Sequence, residues 1–512
     1  MVRDSQKKIS KSIVRVSIGT FTSRILGYIR DVLIADRFGA SVVSDAFFSA
    51  WRIPNTLREL LGEGALSAAL IPVFTEYLKT KDKKEAWRLA SLVINGLLII
   101  SILITLLGII LAHLIITILV PGFIGKDAFS LTVTLTRIMF PFIIFICLSA
   151  LVMGILNSCQ HFTLPAFAPG VLNLCLIISI FFLCPLFKQE PIYGLSIGLL
   201  LGGLFQLLIQ IPALIKERME YRLIVDFLNP GVKRIILLML PRALGSAITQ
   251  LNITISNLLA SFWIFGSISA LFYSNRLVQF PLALFGIAIG TVLFPTMSMQ
   301  VVEGNLEELK KSLAWGMKLV ILTSLPATVG LMVLGRPIIQ LLFQHGQFDV
   351  HDTNMTYLAL FFYAFGLVGF ASLKVIVPAF YSQHDTWTPL KIGIISVIAN
   401  IIFSLLLMRP LEQGGLALST SLAGFLNATL LLISLRQKIG AIGGGQILKS
   451  FLKISLASSM MGLFCWVIMG INIGLFYQVV IGIIGGLGIL FLSCKLLKIE
   501  EFDSVWGLFK TR

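Results

Sequence analysis

Three arginines lie in long apolar stretches of the sequence, where the chain is expected to be inside a lipid bilayer: Arg24, Arg30 and Arg276. An arginine at the centre of a membrane helix costs about 2.5–3.5 kcal/mol on insertion scales. Such residues normally face a water-filled cavity and bind an anion, and the planar guanidinium suits bidentate contact with phosphate oxygens. The three residues therefore predict a membrane carrier for a phosphate-bearing substrate.

Two of these arginines share the first apolar segment. At 1.5 Å rise per residue, Arg24 and Arg30 are about 9 Å apart along a helix axis and roughly 120° apart around it. A bend at Gly27 would bring both side chains into one cavity. In the alternative interpretation, Arg30 pairs with Asp31 or Asp45, and Arg24 extends its charge to the membrane interface.

The second apolar segment carries charged and polar side chains around a proline. Pro54 lacks an N–H and is expected to kink the helix. Asp45 stands at the start of the helix, where a carboxylate also acts as an N-cap. The other members of the predicted cavity network are Arg52, Asn55, Arg58 and Glu63. These residue types fit either a structural ion-pair network on the cavity wall or direct contact with substrate.

The composition requires a membrane-embedded fold. Of 512 residues, 57% are hydrophobic and 12% are charged, whereas about a quarter of a soluble domain is charged. Apolar segments of 18 or more residues recur, each long enough to cross a hydrocarbon core of about 30 Å. We predict fourteen transmembrane helices and an all-α integral membrane protein, with approximate segment starts at 12, 45, 89, 128, 165, 191, 233, 267, 312, 354, 388, 414, 450 and 474. The first segment has no cleavage site after a short apolar core, so we expect it to be retained.

The distribution of lysine and arginine among the loops predicts the orientation, because cytoplasmic loops are enriched in both residues. With an even number of helices, both termini lie on one side. That side collects twenty-four basic residues, including the clusters at 79–88 and 216–234, whereas the opposite loops hold five: Arg37, Lys126, Lys188, Arg336 and Arg409. Both termini are therefore predicted to be cytoplasmic. The net charge of +16 mostly reflects this bias and does not indicate nucleic-acid binding.

The sequence repeats itself at an offset of about 223 residues. Gln160-His161 with Asn173 is echoed by Gln383-His384 with Asn400, Pro72 by Pro295, and the segment 48–52 by 272–276. The repeat predicts two pseudo-symmetric six-helix lobes of parallel topology, with substrate bound near the bilayer midplane between them. The predicted boundaries are an N-terminal lobe at 1–228, a C-terminal lobe at 229–440, and two extra helices with a tail at 441–512. Glycines of the last helix allow either close packing or a groove.

Other chemistries have weak support in the sequence. After Asp226 every acidic residue falls in a predicted loop or tail, so the second lobe lacks an intramembrane carboxylate for a proton relay or cation site.

A long loop from Leu342 to Thr353 contains His345, Asp349, His351 and Asp352. A metal site is one interpretation, but Asp352 or Thr353 as a helix N-cap is favoured. Cys159 and His161 are too few for a metal, and no cofactor, Walker A loop or nucleophile-with-base pattern is predicted.

These motifs resemble the MurJ (MviN) family of lipid II flippases, whose superfamily also holds the MATE drug exporters. The resemblance rests on the segment from Ser23 to Asp31, on Asp45-Ala46-Phe47, on Arg52 to Arg58, and on Glu63-Gly64-Ala65. Asn275-Arg276-Leu277 and the 343–353 segment extend it over essentially the whole chain.

The resemblance implies a flippase for the undecaprenyl-diphosphate-linked peptidoglycan precursor, acting by alternating access in the bacterial inner membrane and catalysing no bond-making reaction. It implies that the diphosphate is met by Ser23, Arg24, Arg30, Asp31 and Arg276, with Arg52 and Arg58 in support. It also implies that the groove of the last two helices holds the polyprenyl tail.

One departure concerns an acidic cation site in some members of the family. The aligned positions here are Ser256 and Ser404, which puts coupling to sodium or protons in doubt and favours the membrane potential as the driver.

Three alternatives remain at this stage. A cation-coupled multidrug exporter on the same plan would favour intramembrane acids and aromatic residues over arginines. A flippase for another polyprenyl-linked oligosaccharide is the second alternative. A scaffold for envelope assembly would have no use for arginines in a buried cavity. The predicted partners are the lipid-linked precursor and membrane lipids, and the sequence identifies no protein partner.

Overall fold

The structure, a computed structural model, describes residues 2–63 and 65–510. That description leaves out some side chains. They are those of residues 1–15, 61–65, 505 and 507–510, and of a few isolated positions between 68 and 249. All regular elements in the described ranges are helical, which confirms the predicted all-α fold. The chain forms two compact units, Met1–Gly266 and Ser267–Arg512.

The first unit contains eleven α-helices among its described residues. They are α1 (Val2–Phe38), α2 (Val42–Leu57), α3 (Ala65–Thr80), α4 (Lys83–Ile110), α5 (Ala112–Leu119), α6 (Asp127–Met139), α7 (Phe142–Ser158), α8 (Thr163–Phe182), α9 (Ile192–Leu208), α10 (Ile211–Lys216) and α11 (Pro230–Ala260). A π-helical turn, Arg58–Glu63, follows α2, and short 3-10 turns occur at Pro121–Phe123 and Cys184–Leu186.

The second unit contains nine α-helices in the described part of the chain. They are α12 (Ser267–Pro281), α13 (Ala288–Val302), α14 (Leu306–Phe343), α15 (Val350–Phe365), α16 (Leu367–Ser382), α17 (Trp387–Ile439), α18 (Gly444–Met469), α19 (Leu475–Leu496) and α20 (Glu500–Lys510). A π-helical turn, Leu282–Ile287, separates α12 from α13. Helix α17 contains a break at Glu412, where φ is 50° and ψ is −132°.

By length and apolarity alone, eight helices of the described chain qualify as membrane spans, or up to ten if two bent pairs each count as one. The other four predicted segments lie in α1, α2, α11 and the second half of α17. Helix α2, with 16 residues, is shorter than the 18 residues needed to qualify, and helix α1 carries charged residues of the candidate site. The total of fourteen spans therefore stays a prediction.

The internal repeat is visible in the backbone. The pair α6 and α7 is bent by 41°, and the pair α15 and α16 by 42°. A π-helical turn follows α2, and another follows α12. Gln160 and His384 both adopt positive φ, 63° and 59°, after α7 and α16 respectively. Because these irregular features recur at nearly the predicted offset, the two halves share one architecture.

Helix α11 packs within the first unit. Val232 and Ile235 on α11 are buried in the same cluster as Leu70 and Phe74 on α3. A Cβ on Gly231 would lie 2.8 Å from the Tyr77 hydroxyl, so the start of α11 runs close to α3. By its packing contacts, α11 therefore belongs to the first compact unit, together with the helices that precede it. The predicted lobe boundary at 228 follows sequence repetition, a different criterion, and stays a prediction.

Two local predictions around residue 350 are wrong. The predicted long loop is short, because α14 continues to Phe343 and α15 begins at Val350. Asp349, and not Asp352 or Thr353, is the N-cap of α15, and its carboxylate accepts a hydrogen bond from the Asp352 N–H at 2.9 Å. An aspartate in an extended conformation just before a helix satisfies an otherwise unbonded N–H of the first turn.

Candidate functional site

Arg30 is a buried arginine with partners on three sides. Its side chain is on α1, and the residue is 5% exposed. Nε donates to Asp31 Oδ1 at 2.9 Å, and Nη2 donates to the same oxygen at 2.5 Å. The guanidinium lies 4.9 Å from the centre of the Trp51 ring. Because Asp31 is fully buried, the carboxylate offsets the cost of burying this cation, and Trp51 adds a cation–π contact.

Asn173 connects Arg30 to the backbone of its own helix. Arg30 Nη1 donates to Asn173 Oδ1 at 2.7 Å, and Asn173 Nδ2 donates to the Ser23 carbonyl at 3.0 Å. Helices α1 and α8 pack closely here, and a Cβ on Gly19 would lie 2.9 Å from Ala166 Cβ. The amide of Asn173 thus fixes the guanidinium and the α1 backbone together.

Arg24 has a different environment from Arg30, although both are on α1. Its side chain is exposed, and in the described part of the chain it forms no ion pair or hydrogen bond. Ser23, next to it, is partly buried. Helix α1 continues unbroken through Gly27. Arg24 is therefore accessible to an external anion, whereas Arg30 is already held by a carboxylate.

Asp45 does not cap α2, so that part of the prediction is wrong. Ser41 is the N-cap and forms a capping box with Ser44. Asp45 lies in the first turn at 1% exposure, and its Oδ2 accepts a hydrogen bond from the Gly266 N–H at 2.6 Å. The carboxylate thus links α2 to the end of the first unit.

The polar residues of α2 form a network that includes two residues outside the predicted set. Arg52 Nη2 donates to Gln250 Oε1 on α11 at 3.0 Å, and Gln250 Nε2 donates to Glu59 Oε2. Asn55 Nδ2 donates to Glu59 Oε1 at 3.1 Å, and Arg58 Nε donates to Asn55 Oδ1 at 3.1 Å. Glu59, at the π-helical turn, is therefore the carboxylate of the network. The predicted member Glu63 has a side chain outside the described residues.

Arg276 belongs to the second unit, on α12, and is partly buried. Three residues earlier, the Tyr273 ring is fully buried and lies 5.2 Å from the Phe343 ring and 5.7 Å from the Phe348 ring. Ser274 Oγ donates to the Thr356 carbonyl on α15 at 2.7 Å. The aromatic residues around the α14–α15 connection thus hold the helix that presents Arg276.

Ser256 and Ser404, which the family resemblance aligns with an acidic cation site, have bonded hydroxyl groups. Ser256 Oγ donates to the Asn252 carbonyl at 3.1 Å, within α11. Ser404 Oγ lies 2.7 Å from Ser419 Oγ, between the two halves of α17. Both serines are buried. Among the described residues, no group of three histidine, cysteine or acidic side chains is arranged to hold a metal ion.

Sequence reasoning missed several polar residues at the site. Asn173 was noticed only as part of the repeat, and Gln250 gave no signal. Glu59 had a local signal, because residues 55 and 59 are one helical turn apart.

Comparisons with known proteins identify the family of this chain. The family model described as "Lipid II flippase MurJ" matches residues 34–484. A "Probable lipid II flippase MurJ" from Vibrio cholerae is 38% identical over 433 residues, covering 83% of this chain and 82% of that protein. A "Lipid II flippase MurJ" from Burkholderia cenocepacia is 36% identical, covering 84% of each chain.

Two solved structures extend the comparison to the fold. A structure titled "Lipid II flippase MurJ, inward closed conformation" aligns with a TM-score of 0.80 at 30% identity, covering 98% of this chain and 100% of that one. An inward-facing MATE multidrug transporter aligns with a TM-score of 0.66 at 16% identity, covering 84% and 98%. The second match shows a shared fold alone.

Proposed function

Because the chain belongs to the MurJ family of lipid II flippases, we propose that it moves lipid II across the bacterial inner membrane by alternating access, for cell-wall synthesis. It is a multi-pass membrane transporter, and we propose that it breaks or forms no covalent bond in its substrate. The precursor offers a diphosphate anion and a polyprenyl tail, and the residues described above suit the first of these.

We propose that the diphosphate is recognised by Arg24, Arg30 and Arg276, with Ser23 and Asp31 beside them. The arrangement of Arg30 is the observation that supports this most directly. A guanidinium held by a carboxylate, an amide and an aromatic ring keeps its orientation before substrate arrives, which lowers the ordering cost of binding. Arg24 is exposed, whereas Arg30 is buried and Arg276 is partly buried, so Arg24 is the most accessible of the three to phosphate oxygens.

The network of Arg52, Asn55, Arg58, Glu59 and Gln250 is proposed to support the site. Glu59 is shared by side chains from α2 and α11, so the network holds these two helices in register. Arg52 and Arg58 carry two positive charges and Glu59 carries one negative charge, so the network has a net positive formal charge at the end of α2. That charge favours the proposed anionic substrate without requiring direct contact.

The proposed site for the polyprenyl tail is the surface of α18 and α19. Most glycines of α19 serve close packing in the second unit, since Cβ atoms on Gly482 and Gly485 would meet Leu334 and Phe464 at 3.0 and 2.6 Å. Gly488 faces open space. The tail would therefore lie along the outer surface of these helices and not between them.

Substitution of the three arginines tests the proposed cavity. Arg24→Ala, Arg30→Ala and Arg276→Ala should each abolish growth support in a strain depleted of its native flippase, while protein level in the membrane stays near normal. Arginine to lysine changes should be tolerated only partly, because lysine keeps the charge and loses the bidentate fork. Arg409→Ala, at an exposed residue of α17, is the matched control and should support growth.

The direct readout is the fraction of precursor exposed on the outer face of the membrane. It should fall in the alanine variants and remain normal in the control. Growth support by all three alanine variants would contradict the cationic-site mechanism. The arginines would then be packing or interface residues. A multidrug exporter on this fold would instead retain transport of cationic compounds in these variants.

A further inference from the structure

A cavity of about 420 Å³ lies in the second unit, between the start of α14 and the segment that precedes α18. Three lysines line it together with an indole and an amide: Lys310, Lys311, Lys318, Trp315 and Gln446. Glu307 is the one acidic side chain of the lining, so the lining residues alone carry a formal charge of +2, and Glu308 and Glu501 contact two of the lysines from outside it. None of these residues belongs to the proposed arginine site.

Lys318 is the deepest cation of the cavity. The residue is 8% exposed, and its ammonium lies 3.1 Å from Glu501 Oε1 on α20. The same oxygen accepts a hydrogen bond from Ser450 Oγ at 2.8 Å. An ammonium has three donors, and the contact with Glu501 is its only polar contact to the described residues. Two donors of a buried cation therefore remain for a ligand in the cavity that it lines.

The two outer lysines are paired weakly. Lys310 Nζ lies 2.7 Å from Glu307 Oε1, and Lys311 Nζ lies 2.8 Å from Glu308 Oε1. The Glu307 side chain is 75% exposed, and such surface pairs contribute little to stability. An incoming anion of higher charge density can replace these carboxylates at small cost.

Gly440 lies beside Lys310 at the edge of the cavity. Gly440 has a φ of +87°, and a Cβ there would lie 3.6 Å from Lys310 Nζ. Residues with side chains rarely adopt this φ, so the glycine shapes the edge of the cavity. Trp315 is partly buried in the wall, which suits the amphipathic ring of a tryptophan at the membrane interface.

We propose that this cavity binds a phosphate group, carried by an anionic lipid headgroup or free in solution. Lysine ammonium groups bind phosphate as point charges, and basic pockets between membrane helices bind anionic headgroups. The three lysines line the side of the cavity formed by α14, and Gln446 on α18 is a further donor on the opposite side. A bound phosphate would bridge α14 and α18 at the end of the second unit where α20 also packs.

Binding is measured on the full-length protein in a neutral detergent, as the rise in Tm with added probe. The probes are dihexanoyl phosphatidylglycerol, dihexanoyl phosphatidylcholine and inorganic phosphate. The phosphatidylglycerol should raise Tm. Lys310→Gln with Lys311→Gln should weaken its apparent affinity about 25-fold, at roughly fivefold for each lysine. Lys449→Gln, at an exposed lysine of α18 outside the cavity, is the matched control and should bind normally.

The probes separate the two sources of phosphate. A response to phosphatidylglycerol alone assigns a lipid headgroup, and a response to inorganic phosphate as well assigns a free phosphate site. Equal responses to phosphatidylglycerol and phosphatidylcholine would overturn the proposal, as would normal affinity in the double variant. If the double variant is unstable without ligand, Lys311→Glu replaces it, because that side chain is 71% exposed and reversal of its charge should weaken binding further.

Discussion

Arg30 Nη1 donates to Asn173 Oδ1 at 2.7 Å, although 143 residues separate the two along the chain. The same asparagine donates to the Ser23 carbonyl, so one amide on α8 holds both the side chain and the backbone of α1. Asn173 was recognised in the sequence only because Asn400 repeats it. Its place beside Arg30 makes it a positioning residue for the proposed site.

Asn173→Ala should reduce growth support without abolishing it, because the guanidinium loses its amide partner and keeps Asp31. Loss of a hydrogen bond to a charged group typically costs about 1.5–3 kcal/mol, so Tm should fall as well. Asn173→Asp keeps an acceptor for Arg30 and should recover much of the stability. Leu174→Ala, at an exposed neighbour on α8, is the control. Full growth support by Asn173→Ala would show that Arg30 needs no fixed orientation.

Asp385 should make stability depend on pH in the acidic range. Desolvation alone would raise the pKa of its carboxyl group, but hydrogen bonds from Thr388 and the ammonium of Lys438 at 2.9 Å lower that pKa to about 2. A lowered pKa stabilises the fold above the ordinary value of about 4. This stabilisation declines below pH 4 and is lost as the pH falls through 2.

The measurement is the Tm of the purified protein between pH 2 and 7, compared with that of Asp385→Asn. The two proteins should differ most above pH 4 and converge at the lowest pH. Glu303→Gln, at an exposed acid on the α13–α14 connection, should show no such difference. A constant gap between Asp385→Asn and the unchanged protein over the whole range would contradict the ion pair.

Flipping should not require a sodium gradient. The family resemblance aligns Ser256 and Ser404 with acidic residues of some members, and both hydroxyl groups are bonded within the protein. A serine hydroxyl carries no charge to compensate a bound cation. Replacement of sodium by choline at fixed membrane potential should leave precursor translocation unchanged. Loss of translocation under those conditions would assign a sodium site elsewhere in the chain.

The loop at Lys83 should be cytoplasmic and the loop at His345 external, with both termini cytoplasmic. Both side chains are exposed, so each accepts a cysteine without loss of packing. In a background without the six native cysteines, an impermeant maleimide added outside intact cells should label His345→Cys and spare Lys83→Cys. Permeabilised cells supply the control, because both positions should then react. The opposite pattern in intact cells would invert the proposed topology.

The sequence by itself determined the membrane class, the repeat and the family resemblance. The length of the apolar segments, the basic residues of the loops and the spacing of the motifs are local properties of the sequence. They can therefore be recognised without knowledge of how the helices pack. The bends of 41° and 42° and the two π-helical turns agree with the repeat. The cap at Asp349 and the short connection before α15 were misjudged, because helix ends depend on backbone bonds that spacing alone does not specify.

Only the tertiary structure decided which partners hold the charged groups. Gln250 meets Glu59 across 191 residues, and Lys318 meets Glu501 from a different helix. Buried charges require compensation, and many polar side chains can supply it equally well. Which side chain becomes the partner of a buried charge depends on which helices pack together, such as α1 on α8 and α11 on α3. Those contacts link distant parts of the chain, so residue spacing within one helix carries no information about them.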